Sequence, residues 1–248
     1  MTKKSYAEML RKYRKNKAED YAKVILSAPE KVTLYHAIPH PGVCLIMGNR
    51  RMGKTGLAHE IVRQYHSRKH LPAVLHIPAI PDDIRKKLQK KLPKWFTITR
   101  NRNEWPKNCI VVYDEAAQSA HARRTQSGDA VQLDDLIGIS GQRKQTILFI
   151  AHHSRKLDIN VVHEVNRIIW KKPTYAHQLW ERDELSDFTM RAYDFFHMLT
   201  PKQQLRSTLI LNMDKFGFMQ CTNRLPEWWT EELSCIFQDL QKKAKGVK

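Results

Sequence analysis

No apolar stretch in this chain approaches the roughly 18 residues that cross a membrane. The opening MTKKSYAEML also lacks the hydrophobic segment of a secretory signal. A soluble, intracellular protein is therefore expected. Cysteine is scarce. Cys44, Cys109, Cys221 and Cys235 are never spaced C-x-x-C, which speaks against a zinc site or a disulfide framework and for buried thiols in a reducing compartment. No internal repeat is visible, which sets repeat architectures aside. Acidic residues are in deficit, with 25 Asp plus Glu against 43 Lys plus Arg and a formal net charge of +18. An excess of this size calls for a polyanionic partner, nucleic acid first, although a merely basic soluble protein is the plainer reading.

What the chain does have is the stretch Val43 to Thr55, VCLIMGNRRMGKT. A short apolar run ends at Gly48, four residues follow (Asn49, Arg50, Arg51, Met52), and Gly53-Lys54-Thr55-Gly56 opens a helical pattern. This is the phosphate-loop spacing G-x-x-x-x-G-K-[ST]. Glycine at 48 and 53 lets the backbone N–H groups turn toward phosphate oxygens, and the helix from Lys54 adds its positive end. Lys54 reaches the β- and γ-phosphates of ATP in such a loop, and the Thr55 hydroxyl holds Mg²⁺.

The second informative stretch is Cys109 to Tyr113, a continuous apolar run of the kind a parallel strand buried on both faces requires, ending in Asp114-Glu115. Nucleotide hydrolysis needs one carboxylate for the Mg²⁺ shell and another to polarise water. Asp114 suits the first task and Glu115 the second. A third apolar run, TILFIA (146 to 151), ends in His152-His153, where one histidine is a candidate γ-phosphate sensor. A zinc pair is the weaker reading, since neighbours on a strand face opposite ways. Two surface histidines in a turn are the plain alternative.

Around these, helical spacing is expected over 3–27 (basic and amphipathic), 56–68, 82–92, 131–142 and 185–199, with a last helix from Pro226 and a basic tail. Short strands are expected at 73–77, 95–99 and 167–170, and a β-hairpin over 208–222 at the sheet edge. The fold class is α/β: a RecA-like, mostly parallel sheet flanked by helices. Its organisation is expected as a basic helix and connector (1–40), one ATPase domain (41–235) and a tail (236–248).

GNRRMGKT (48–55), WPKNCIVVYDEA (105–116), GQRKQTILFIAHHSRKLD (141–158), VNRIIWKKP (165–173) and LPEWWTEELS (225–234) together resemble the HerA/FtsK type of phosphate-loop ATPase, which includes viral genome-packaging ATPases, and also the related Zot-type assembly ATPases. The resemblance implies ATP with Mg²⁺, a homo-oligomeric ring, most often a hexamer, and double-stranded DNA as the translocated partner. For a viral packaging motor it also implies a capsid or membrane-vertex protein as docking partner and a place in the host cytoplasm or the virion. It implies phosphate contacts from Gly48 through Gly56, metal contacts from Thr55 and Asp114, and water activation by Glu115. His152 stands where the family usually has a glutamine. Arg143 falls where the family presents basic residues to the neighbouring subunit, an arginine-finger position for which Arg123, Arg124 and Arg155 compete.

Overall fold

The computed structural model describes residues 18–78, 80–114, 137–157 and 159–244. Its elements alternate as expected of an α/β chain. Helix α1 (18–26) precedes β1 (Glu30–Lys31), α2 (Leu34–Ala37), β2 (Gly42–Gly48), α3 (Lys54–Lys69), β3 (Ala73–His76), α4 (Asp82–Lys91), β4 (Phe96–Thr99) and β5 (Ile110–Asp114). Then come α5 (137–142), β6 (Thr146–Ile150), α6 (Ile159–His163), β7 (Arg167–Lys171), α7 (Tyr175–Trp180), α8 (Asp183–His197), α9 (Pro201–Arg206), β8 (Ser207–Asn212), β9 (Gly217–Thr222) and α10 (Glu231–Ala244).

The strands form one sheet in the order β1-β9-β8-β7-β2-β6-β5-β3-β4. All neighbours are parallel except where β8 meets β7 and β9, so β8 alone runs against the rest. Apolar side chains alternate between the two faces with the strand period of two. In β2, Cys44 and Ile46 join the core beneath α2, α3, α4 and α10, while Val43, Leu45 and Met47 join the core beneath α1 and α8. This double burial is why the central strands read as unbroken apolar runs.

The arrangement puts β6 between the phosphate-loop strand β2 and the acidic strand β5, so one end of the sheet gathers Gly48, Asp114, Ala151-His152 and Lys171. Several details differ from expectation. The described part of the N-terminal helix is docked on its own chain: Tyr21 donates to Asp187 at 3.1 Å and Val24 is buried. The hairpin β8-β9 lies at the predicted end of the sheet, with the two-residue β1 outermost. The last helix starts at Glu231, because Pro226 to Trp229 form a turn, with Trp229 N–H on the Pro226 carbonyl, that seats two tryptophans against α3 and β4. Cys44, Cys109 and Cys221 are buried as expected, but Cys235 is exposed on the outer side of α10. Among the described residues no helix is long and apolar enough to cross a membrane.

Candidate nucleotide site

Residues 48–55 connect the end of β2 to the start of α3, and the backbone there does what only glycine allows. Gly48 has φ of 137°, and a Cβ on it would lie 1.8 Å from the Lys171 carbonyl oxygen of β7. Gly53 sits in the left-handed region at φ of 81° directly before the first turn of α3. Arg51 also takes a positive φ, of 60°. Asn49 N–H closes onto the Lys172 carbonyl at 3.3 Å, so β7 forms one wall of the loop.

Lys54 is buried and folded back over this loop, donating from Nζ to the Gly48 and Asn49 carbonyls at 2.9 Å each. Its Nζ also stands 3.4 Å from His152 Nδ1. An ammonium can only donate, so Nδ1 is the acceptor and the His152 proton sits on Nε2. Burial, then the Lys54 and Arg50 charges, hold the His152 imidazole down at about 4; the ring is neutral at physiological pH. His152, rather than His153, is thus the histidine against Lys54. Among the described residues no group of three or more His, Cys, Asp or Glu stands close enough to hold a metal ion.

Thr55, on the first turn of α3, donates its hydroxyl to Asp114 Oδ2 across 3.2 Å. Two hard oxygens beside a phosphate loop are what Mg²⁺ takes from a protein when phosphates and waters complete its octahedron. The residues present therefore fit that ion.

Arg143 is not brought to this site. It lies in the turn before β6, at the opposite end of the parallel strands, about 15 Å away at 3.3 Å per residue. Its guanidinium donates to the Trp105 carbonyl, and Asn108 N–H donates to its own carbonyl at 2.8 Å. These bonds tie the α5–β6 turn to the loop before β5. Arg155 lies beyond the sensor strand in a 3₁₀ turn. Glu115, Arg123 and Arg124 lie outside the described residues.

Sequence reasoning missed two residues. Lys171, expected just beyond the strand 167–170, is fully buried, its Nζ donating to the Leu205 and Ser207 carbonyls and to Asn223 Oδ1 at 2.7 to 2.9 Å. Burial pushes its ammonium down to about 7. His177, on the unassigned segment YAHQLW, stands beside the backbone of Gly48. The capping spacing Thr174-x-x-His177 was the signal that could have revealed a helix start there.

No protein-family model matches this chain, and neither does any protein of curated function. Solved structures do. The DNA-packaging ATPase B204 from Sulfolobus turreted icosahedral virus aligns with a TM-score of 0.52 at 13% identity, over 75% of this chain and 99% of that chain. The genome-packaging NTPase B204 from Sulfolobus turreted icosahedral virus 2 aligns in its AMPPCP complex with a TM-score of 0.51 at 12% identity, over 74% of this chain and 98% of that one. Its ATP-γS complex gives 0.51 at 11%, over 75% and 98%. At such identities the likeness is one of fold, and that fold is the RecA-like phosphate-loop fold of these packaging ATPases.

Proposed function

We propose that this chain hydrolyses ATP and uses the energy to move double-stranded DNA, as the packaging motor of a virus or related mobile element. The observation that carries the reading is the meeting of Lys54, His152, Thr55 and Asp114 around one phosphate loop. The net charge of +18 supports a phosphate-bearing partner, and the packaging ATPases that share the fold support the kind of work.

In this reading Lys54 leaves the Gly48 and Asn49 carbonyls for the β- and γ-phosphates, and the amides of Asn49 to Gly56 cradle them. Thr55 and Asp114 hold Mg²⁺, which supplies Lewis-acid polarisation of the terminal phosphate when bound. Glu115, the residue after β5, orients and activates the attacking water. His152 Nε2–H hydrogen-bonds the terminal phosphate, the task a glutamine side chain performs in the resembling family. A ring of copies, six by family analogy, would grip the duplex through its phosphates, docked on a capsid or membrane-vertex protein in the host cytoplasm or the virion.

The test is steady-state ATP hydrolysis with and without long duplex DNA, with Glu115→Gln and Lys54→Ala as controls. Turnover stimulated by duplex, lost in Lys54→Ala and slowed about 100-fold or more in Glu115→Gln, is the expected result. Tight ATP binding with no turnover in any condition would replace the motor by a nucleotide-dependent DNA-binding switch. A preference for single strands would point to an assembly motor of the Zot kind.

A further inference from the structure

The phosphate-loop strand β2 has β6 on one side and β7 on the other. Each neighbour delivers a histidine to the loop. From β6 the chain runs directly to His152. From β7 it passes Lys172 and Pro173 and starts α7, whose first turn carries His177. The two rings come to the same place: both stand beside the backbone of Gly48, whose carbonyl accepts from Lys54 Nζ at 2.9 Å. That carbonyl is taken by the Lys54 ammonium, so two imidazole rings stand beside the loop next to an acceptor already in use.

His177 is held for donation. Its Nδ1 takes the Thr174 backbone N–H at 3.3 Å and lies 2.6 Å from Thr174 Oγ1. Nδ1 is therefore the acceptor nitrogen and Nε2 carries the proton. Burial, with the Lys54 charge next, keeps the ring below the usual histidine range and so neutral. The helix it stands on is anchored at its other end as well. Glu181, buried directly after α7, accepts from the Ser154 backbone N–H at 3.2 Å and from the Ser154 hydroxyl, two residues past His152. Helix α7 thus bridges the phosphate loop and the sensor-strand exit, and the two histidines are set against each other by one rigid connection.

We infer that His177 is a third phosphate-binding side chain of this site: standing beside the Gly48 backbone with Lys54 and His152, it donates its Nε2–H to the terminal phosphate of ATP. The inference rests on the nucleotide-site reading above and adds the residue that tells ATP from ADP. A terminal phosphate brings oxygens with unused lone pairs and negative charge to three donors gathered beside one backbone carbonyl, so the donors gain by turning to it.

The experiment is calorimetric titration of the full chain with Mg²⁺-ATP and, separately, Mg²⁺-ADP, in the wild type, His177→Leu and His177→Gln. A glutamine amide reaches as far as imidazole Nε2 and keeps the donor. His177→Leu should weaken ATP about tenfold, the worth of one hydrogen bond to a charged group, while ADP changes less than about twofold. His177→Gln should recover most of the ATP affinity. Equal loss for both nucleotides would mean that the ring only caps α7, and an unchanged ATP-to-ADP ratio would also overturn the inference. A wild type that binds neither nucleotide would instead remove the nucleotide site itself, and this inference with it. A second measurement needs no variant: the imidazole ¹⁵N resonances of His177 should show a protonated Nε2 in the free protein and shift with AMPPCP but not with ADP, and identical responses to both would refute the assignment.

Discussion

The Thr55 hydroxyl and the Asp114 carboxylate face each other at 3.2 Å, one on the first turn of α3 and the other on the last residue of β5. Fifty-nine positions of chain separate them, and the parallel β2-β6-β5 arrangement closes that gap. Replacing Asp114 by Asn keeps the shape and the acceptor but removes the negative charge a divalent cation requires. ATP should still bind without metal, within about twofold of wild type, while the gain in affinity on adding Mg²⁺ disappears and turnover falls on the order of 100-fold. A Mg²⁺ response equal to that of the wild type would show that Asp114 is not the metal carboxylate.

Gly48 opens the loop motif and Gly56 directly follows it in α3, and they should respond differently to alanine. At Gly48 the added carbon meets backbone, the Lys171 carbonyl at 1.8 Å, and the φ of 137° is itself strained for any side chain. Gly48→Ala should prise β2 from β7, costing on the order of 3 kcal/mol or more and abolishing nucleotide binding. At Gly56 the nearest atom is Leu225 Cδ2 at 2.6 Å, the far end of a flexible side chain. Gly56→Ala should cost about 1 kcal/mol, and the double variant with Leu225→Ala should recover part of it. Thermal unfolding of the three variants checks the contrast.

The same pair of glycines shows how far the sequence reaches. The loop motif, the acidic strand and the histidine strand could be placed because buried parallel strands are unbroken apolar runs and their ends carry the chemistry, and the structure assembles Lys54, Thr55, Asp114 and His152 at one end of the sheet. What could not be read were features that depend on packing between distant segments. YAHQLW is too short to read as a helix by its apolar spacing, and Tyr175, Leu179 and Trp180 remain exposed, so α7 is held by its cap and by Glu181. Arg143 stands just before the histidine strand in sequence, but its hydrogen bond to Trp105 depends on a loop 38 residues away. Lys171 sits among two lysines and a proline, a pattern that reads as solvated until β8 and β9 close over it.

Lys171 gives a prediction of its own. Its ammonium joins the end of β7 to the α9–β8 junction and to Asn223 after β9. Lys171→Met keeps the volume but takes the side-chain donor from the Leu205 and Ser207 carbonyls and leaves Asn223 Oδ1 with the Thr208 hydroxyl alone, so a loss of about 3 kcal/mol or more is expected. The pH dependence carries a second signature. The folded-state value is about 7 against an ordinary 10.5, so between these the unfolded chain holds a proton that the native chain releases. Wild-type stability should therefore gain a contribution as pH rises from 7 toward 10, and Lys171→Met should lack that gain. Urea titrations at three pH values would read both effects.

Acid should act on the other side of neutrality, through histidines. His59 and His76 are buried and held at about 3, His59 by burial alone and His76 by burial with the Arg102 charge, and His152 is held at about 4. The ring of His59 is packed edge-on by Phe96, Trp229 and Phe237, and that of His76 by Trp105, so neither site has room for the water a charged imidazole would need. In each case the native value lies below the ordinary 6.5. The unfolded chain therefore takes up protons that the native chain refuses as pH falls below about 6.5, and native stability drops with it. The slope between pH 6.5 and 5 should be steep although few carboxylates titrate there, these three rings by themselves taking up close to three protons on unfolding near pH 5. His59→Leu should reduce that uptake by about one proton, even if its stability at pH 7.5 is lower from the lost Trp228 contact. Urea midpoints that do not change between pH 7.5 and 5 would mean that these rings are hydrated and free to ionise in the native protein.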